Sequence, residues 1–260
     1  MSSSASANRG HLRCLTVTCL LLFVANSADG QGGPPMITDD PGTPGNGKWE
    51  IETAFTFQRT PERKTFEGPV LDFNYGWGER IQLKYEVGWD FVDNKRDPDR
   101  GRHSGTGNSL AGFKYRFLDE DRHGFALSLY PQIEFNTPPG VSRRGVVESG
   151  TNVFLPVEVS KTFGPIQVAG EMGYELIQHG RDQWMYGVVA EYPLTKKIEL
   201  LGEFRGNLDQ DFRRNDLILN FGTRISLTEK IGFIFSAGRS VRSSHDSPTA
   251  LVYAGLRFLL

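Results

Sequence analysis

The 260-residue chain predicts an all-β fold, a single up-and-down transmembrane β-barrel of about twelve antiparallel strands. Three observations carry that expectation. Apolar and polar residues alternate with period two along most of the sequence, which puts successive side chains on opposite faces of a strand. Charged residues keep to one of those faces. The links between alternating segments are mostly long and polar in one set and short in the other, as in a barrel with long loops outside and tight turns on the periplasmic side.

Residues 1–28 read as a secretory signal peptide, because Arg9 and Arg13 precede the apolar run 14–25 and small residues, Ser27 and Ala28, follow it. That run is too short to span a bilayer as a helix. Both cysteines, Cys14 and Cys19, lie inside it, so the exported chain is expected to have no disulfide framework and no thiolate metal site. Residues 29–48 are dominated by Gly and Pro and read as an irregular periplasmic lead-in.

The barrel is expected over 49–260. It opens with Trp49, Ile51, Thr53, Phe55 and Phe57 alternating against Glu50, Glu52, Ala54, Thr56 and Gln58. A polar loop, 59–68, leads to the clearest hairpin of the chain. There Leu71, Phe73 and Tyr75 alternate with Asp72 and Asn74, and the glycine-bearing link 76–80 turns the chain back. Ile81, Leu83, Tyr85, Val87 and Trp89 then return opposite Gln82, Lys84, Glu86, Gly88 and Asp90. A long loop, 91–108, precedes Ala111, Phe113, Tyr115 and Phe117, set against Lys114 and Arg116. The next strand, 125–136, contains Pro131, which cannot donate to a ladder, so either a bulge interrupts pairing there or the strand is two pieces, and the bulge is the favoured reading. Pro156 raises the same question in the strand around Val153, Val157 and Val159. Five more strands follow, 166–176, 184–192, 198–205, 217–227 and 231–237, and a terminal one over 250–258. Loops are expected at 137–150, 178–182, 206–215 and 238–247.

Mean hydropathy of −0.37 excludes a bundle of transmembrane helices. The balance of 29 basic against 31 acidic residues, with no dense basic run, speaks against nucleic acid as a partner. Cationic side chains decide which face meets lipid, since a Lys or Arg at mid-bilayer on the lipid face costs about 2–4 kcal/mol. The expected lumen-lining set is therefore Glu50, Glu52, Asp72, Lys84, Glu86, Lys114, Arg116, Glu134, Glu171, Glu191, Glu203, Arg205, Arg224 and Arg257. Mixed signs suit either a charge-screening pore or a set of pairs that close a plugged barrel. The modest width of a twelve-stranded barrel favours pairing. A soluble two-sheet sandwich is the rival fold, and the signal peptide and loop asymmetry argue against it.

Trp49, Tyr75, Trp89, Phe135, Trp184, Tyr192 and Phe258 fall near strand ends, where aromatic girdles meet the membrane interfaces. Residues 38–41, Thr-Asp-Asp-Pro, offer two adjacent carboxylates, too few to complete a calcium shell, and read as an Asx-type turn. No metal or cofactor is expected. His103, His123, His179 and His245 fall in loops or turns and His11 in the signal, so no serine–histidine constellation is identifiable and no enzymatic activity is expected.

The residues Pro34-Pro35-Met36-Ile37-Thr38-Asp39-Asp40-Pro41, then Thr43-Pro44-Gly45 and Trp49-Glu50-Ile51, resemble the lead-in and first strand of the outer-membrane family named for the meta-cleavage pathway of phenol degradation. Gly105-Thr106-Gly107-Asn108 running into Gly112-Phe113-Lys114-Tyr115-Arg116-Phe117 is similar to a strand motif of that family, with Asn108 where an acid is usual. The resemblance implies a channel or transporter for small molecules, aromatic or hydrophobic ones among them. The alternative is a non-conducting structural or adhesive barrel acting through its outer loops. Expected partners are outer-membrane lipid, the barrel-insertion machinery and a small-molecule permeant.

Overall fold

The computed structural model describes residues 33–95, 101–137, 140–212, 215–242 and 247–260. The expected signal peptide, 1–28, and the first residues of the lead-in lie outside them.

The described residues form thirteen strands. They are β1 Trp49–Arg59, β2 Arg63–Trp77, β3 Ile81–Asn94, β4 Arg102–Leu118, β5 Ala126–Leu129, β6 Gln132–Asn136, β7 Thr151–Phe163, β8 Ile166–Ile177, β9 Gln183–Pro193, β10 Ile198–Asp209, β11 Asn215–Ser226, β12 Ile231–Arg242 and β13 Ala250–Leu259. A single helical turn, α1 Glu120–His123, caps the β4–β5 link, and a short 3-10 turn spans Ser142–Arg144. Strands pair antiparallel with their sequence neighbours, and β13 returns to β1, so the sheet closes on itself. Trp49 and Leu260 exchange backbone hydrogen bonds of 3.0 and 2.9 Å at the seam. Closure removes the unpaired edge that lipid could not satisfy. Because β5 and β6 are successive halves of one stave, the barrel has twelve staves.

The faces are inverted relative to a water-soluble protein. Glu52, Asp72, Lys114, Glu158, Glu191 and Glu203 are at most 2% exposed, while Leu83, Phe113, Leu155, Met172, Leu200 and Phe221 stand in the open on the outer wall. Aromatics share that outer surface. Trp49, Trp89 and Tyr192 are exposed, and Tyr75, Phe135, Trp184 and Phe258 are half-exposed. Rings pair across neighbouring strands near both ends: Trp49 with Tyr75 at 4.8 Å and Trp184 with Tyr174 at 4.9 Å between centroids.

Strand ends depart from the sequence expectation on the long-loop side. The loops expected at 59–68 and 91–108 shrink, because β2 begins at Arg63, β3 runs on to Asn94 and β4 starts at Arg102; β10 and β12 likewise extend to Asp209 and Arg242. Beyond the lipid zone both faces of a strand meet water, so period-two alternation fades while the ladder continues.

The expected bulge at Pro131 is also corrected. Leu129 faces Tyr115 and Val157, and Gln132 faces Gly112 and Phe154, so both sides advance by three residues and none is inserted. The stave breaks because Pro131 has no N–H to give. Its carbonyl still accepts from Phe113 N at 3.0 Å, and Tyr130 N donates to Pro156 O at 3.1 Å. Pro156 sits in an unbroken β7 opposite Gly173. The register shifts instead between β2 and β3, β3 and β4, β4 and β5, and β11 and β12, and in β2 the four residues from Glu67 to Val70 oppose three on β1, from Thr56 to Ala54. Gly68 is required there, since a Cβ would come within 2.2 Å of the Phe55 ring.

Val157, at the centre of β7, is 44% exposed on the outer wall. Replacing it with Arg should lower stability in lipid vesicles by about 2–4 kcal/mol, read as a drop in the urea midpoint of refolding. An unchanged midpoint would place this face outside the hydrocarbon.

Candidate functional site

The interior has three levels. At the turn-side rim Arg80 and Arg116 both grip Asp119, Arg116 through Nε at 3.1 Å. Burial opposes ionisation of Asp119, and the two guanidiniums outweigh it, holding the carboxyl below the usual carboxylate range. Arg116 also donates to the Glu79 carbonyl at 2.7 Å.

The middle level is filled by the lead-in, which threads into the barrel from the turn side. Gly47 N donates to Gly76 O at 2.8 Å at the rim, and residues 33–41 continue inward. Carboxylates of the wall accept from lead-in amides: Glu203 from Ile37 N at 3.0 Å and from Thr38 N, and Glu171 from Asp39 N at 2.9 Å. Cations and hydroxyls of the wall donate to lead-in carbonyls: Arg257 to Pro34 O at 2.8 Å, Ser236 to Pro35 O at 2.7 Å, and Lys114 to Asp40 O. Met36 packs in a small apolar cluster with Ala169, Val189 and Leu201. Two wall glycines make room. A Cβ on Gly187 would lie 2.0 Å from Thr38 Oγ1, and one on Gly222 would lie 2.3 Å from Met36 Cε. Inside the lead-in, Asp40 Oδ1 accepts from Gly42 N at 2.7 Å, an Asx turn, while Asp39 reaches Lys114 at 3.0 Å.

Around this segment the wall charges meet in pairs. Arg257 holds Glu50 at 3.2 Å and Glu52 at 2.8 Å; Lys84 holds Asp72 at 2.7 Å and Glu86 at 3.0 Å. Arg224 holds Glu191 and Glu199 at 3.0 Å each, and Arg205 lies 3.4 Å from Glu171. Lys114, 1% exposed, meets Asp39 at 3.0 Å and Glu158 at 3.3 Å under the ring of Tyr130, whose centroid is 4.5 Å away. The gap left between lead-in and wall beside Lys84 and Asp39 holds about 20 Å³, room for one water.

The third level, toward the long loops, is open. A chamber of about 710 Å³ lies above the lead-in, walled by strand ends and by residues 147–150 of the loop before β7. That loop is tucked into the mouth on Val141 and Val146, both fully buried. Glu86 and Glu134 line the chamber, Glu134 accepting from Asn108 Nδ2 at 2.8 Å.

Sequence reasoning did not single out Glu158, Tyr130, Glu199, Glu67 or Asp90 as site residues. Alternation alone places Glu158 between the outward Val157 and Val159, but Pro156, two residues earlier, obscured the strand. Tyr130 was hidden by the break at Pro131. No period reveals the docked lead-in, which has none.

Gly187→Val would push methyl groups into the place of Thr38 while leaving the strand ladder intact. Overpacking of this kind costs about 1–3 kcal/mol, so proteolytic cleavage within residues 33–48 should quicken about fivefold to a hundredfold. Heat-modifiable migration on gels would report the barrel still folded. An unchanged cleavage rate would mean that Thr38 is not what the glycine accommodates.

Searches of family models and of curated proteins return no match to this sequence. Solved structures do match. An outer-membrane channel from Pseudomonas putida F1 aligns with a TM-score of 0.60 at 14% identity, over 85% of this chain and 98% of that one. The KdgM porin and the NanC porin each align with a TM-score of 0.57, at 11% and 10% identity, over 80% of this chain and 98% of theirs. The resemblance to the phenol meta-cleavage family rests on the sequence motifs alone. What the chain shares with these structures is the twelve-stranded barrel fold of outer-membrane channel proteins.

Proposed function

We propose that this protein is an outer-membrane channel or transporter for small molecules, held shut in the described state by its own lead-in. The observation that carries the reading is the docking of residues 33–41 against the wall. Those contacts are non-covalent, and the one-water gap beside the lead-in leaves no room for a solute there. Passage therefore needs the lead-in to shift or leave. In this reading the paired charges of the middle level line the path once it opens, and the outer aromatics anchor the barrel at both lipid interfaces. A signal peptide at 1–28 would deliver the chain to the insertion machinery. The polar wall of the loop-side chamber favours polar permeants over the aromatic or hydrophobic ones that the sequence resemblance implies.

Deleting residues 33–41 from the folded protein should convert a closed baseline in planar bilayers into steady single-channel current. A closed baseline at every voltage after that deletion would sink the channel reading in favour of a structural or adhesive barrel.

A further inference from the structure

We propose that the outer wall carries, at the loop-side edge of β12, β13 and β1 to β4, a docking site for a phosphorylated saccharolipid of the outer leaflet, one whose sugar headgroup bears more than one phosphate. The inference goes beyond the channel reading and requires only that the barrel span the outer membrane.

Strand register assembles the site. Arg59 of β1 opposes Lys64 of β2, Lys64 opposes Asp93 of β3, and Asp93 opposes Arg102 of β4. On the other side of Arg59 stands Ala250 of β13, and the exposed Arg239 of β12 lies one residue beyond the pair of Gly238 with Leu251. One row across six neighbouring strands therefore holds four cations and a single acid. The row faces outward. Arg63, Thr65 and Glu67, which alternate with Lys64 and Phe66, line the chamber instead, and Val92 beside Asp93 and Ser240 beside Arg239 are buried.

Height on the wall sets the row among headgroups. The outward residues of β1 from Trp49 to Phe57, and of β3 from Ile81 to Phe91, are apolar or uncharged over spans of about 9–11 residues, the length of a strand tilted through hydrocarbon. Arg59 and Asp93 come two residues later, about 7 Å further along their strands. Just below them the rings of Phe55, Phe66 and Phe91 follow one another at 5.9 and 6.0 Å between centroids, an apolar face for acyl chains. At the turn-side edge the same four strands end outward in Trp49, Trp77, Ile81 and Phe117, without charge. The cationic edge is the one with the long loops, which face the cell exterior.

Repulsion within the row points to an anion. Arg59 and Lys64 stand directly opposite each other, an arrangement of like charges that destabilises a strand pair, and neither makes an ion pair among the described residues. Asp93 lies 3.9 Å from Arg102, whose side chain stays 88% exposed. A phosphate between Arg59 and Lys64 turns their repulsion into two attractions. With strands about 4.8 Å apart, the row extends roughly 24 Å, wider than one phosphate can engage. A headgroup with separated phosphates reaches Arg59 and Lys64 with one and Arg102 or Arg239 with another.

The test is native mass spectrometry of the detergent-solubilised full chain, stripped of its own lipid and titrated with diphosphoryl lipid A, the same lipid with both phosphates removed, and phosphatidylglycerol. Saturable binding of one diphosphoryl lipid A is expected, at least about tenfold tighter than the dephosphorylated form and tighter than phosphatidylglycerol. Lys64→Gln and Arg102→Gln should each weaken it about fivefold. Lys161→Gln, which removes an outward cation at the turn-side edge of β7, should leave it unchanged. Equal affinity for the dephosphorylated lipid, or indifference to both loop-side substitutions, would overturn the inference. Parity with phosphatidylglycerol, or an equal loss in Lys161→Gln, would overturn it in favour of unspecific attraction to anionic lipid. If the substituted chains do not refold, the three lipids on the unaltered chain still decide.

Discussion

Lys114 is the point at which wall and lead-in become one structure. Its ammonium, enclosed in the lumen, meets Asp39 and the Asp40 carbonyl of the lead-in, Glu158 of β7 and the ring of Tyr130. An isolated cation in such a place would be driven out by desolvation, and an isolated Glu158 likewise; together they hold only while both remain. The lead-in supplies one of the two carboxylates. Docking of residues 33–41 is thus coupled to the charge balance of the barrel, and removal of the segment leaves Lys114 with Glu158 alone among its carboxylate partners.

That coupling follows from turning the barrel inside out. With apolar residues given to the outer wall, the charges the strands carry must find partners inside a lumen too narrow to be well hydrated. Lys84, Arg224 and Arg257 each bridge two carboxylates, drawn from neighbouring strands or from one, and so cross-link the wall from within. The same wall treats the lead-in as a bound peptide, offering acceptors to its amides and donors to its carbonyls. Gly187 and Gly222 show that the strands are shaped for this occupant as well as charged for it.

Filling is not uniform along the axis. Below, five cations, Lys84, Lys114, Arg205, Arg224 and Arg257, hold nine carboxylates around the docked lead-in and the lumen is full. Above, the lumen opens into the chamber. A solute arriving from the loop side would meet the chamber before the lead-in, so entry and closure occupy separate levels of one tube.

Much of this was legible in the residues themselves. Period-two alternation with charge on one face determined the strands, the inward direction of Lys84 and Glu203, and the outward direction of Leu83 and Phe113, because a cation facing lipid is too costly at any register. Alternating loop lengths determined the up-and-down order. Alternation could not locate the loop-side ends of β2, β3 and β4, since the pattern dissolves where both faces are wet. It also misread Pro131 as a bulge, because a missing donor and an inserted residue look alike in a sequence. Which carboxylate meets which cation, the path of residues 33–48 into the lumen, and the open chamber above it were decided only by tertiary structure. Those depend on which strands lie side by side in the closed barrel and on what fills it, relations between residues apart in the chain that no local period encodes.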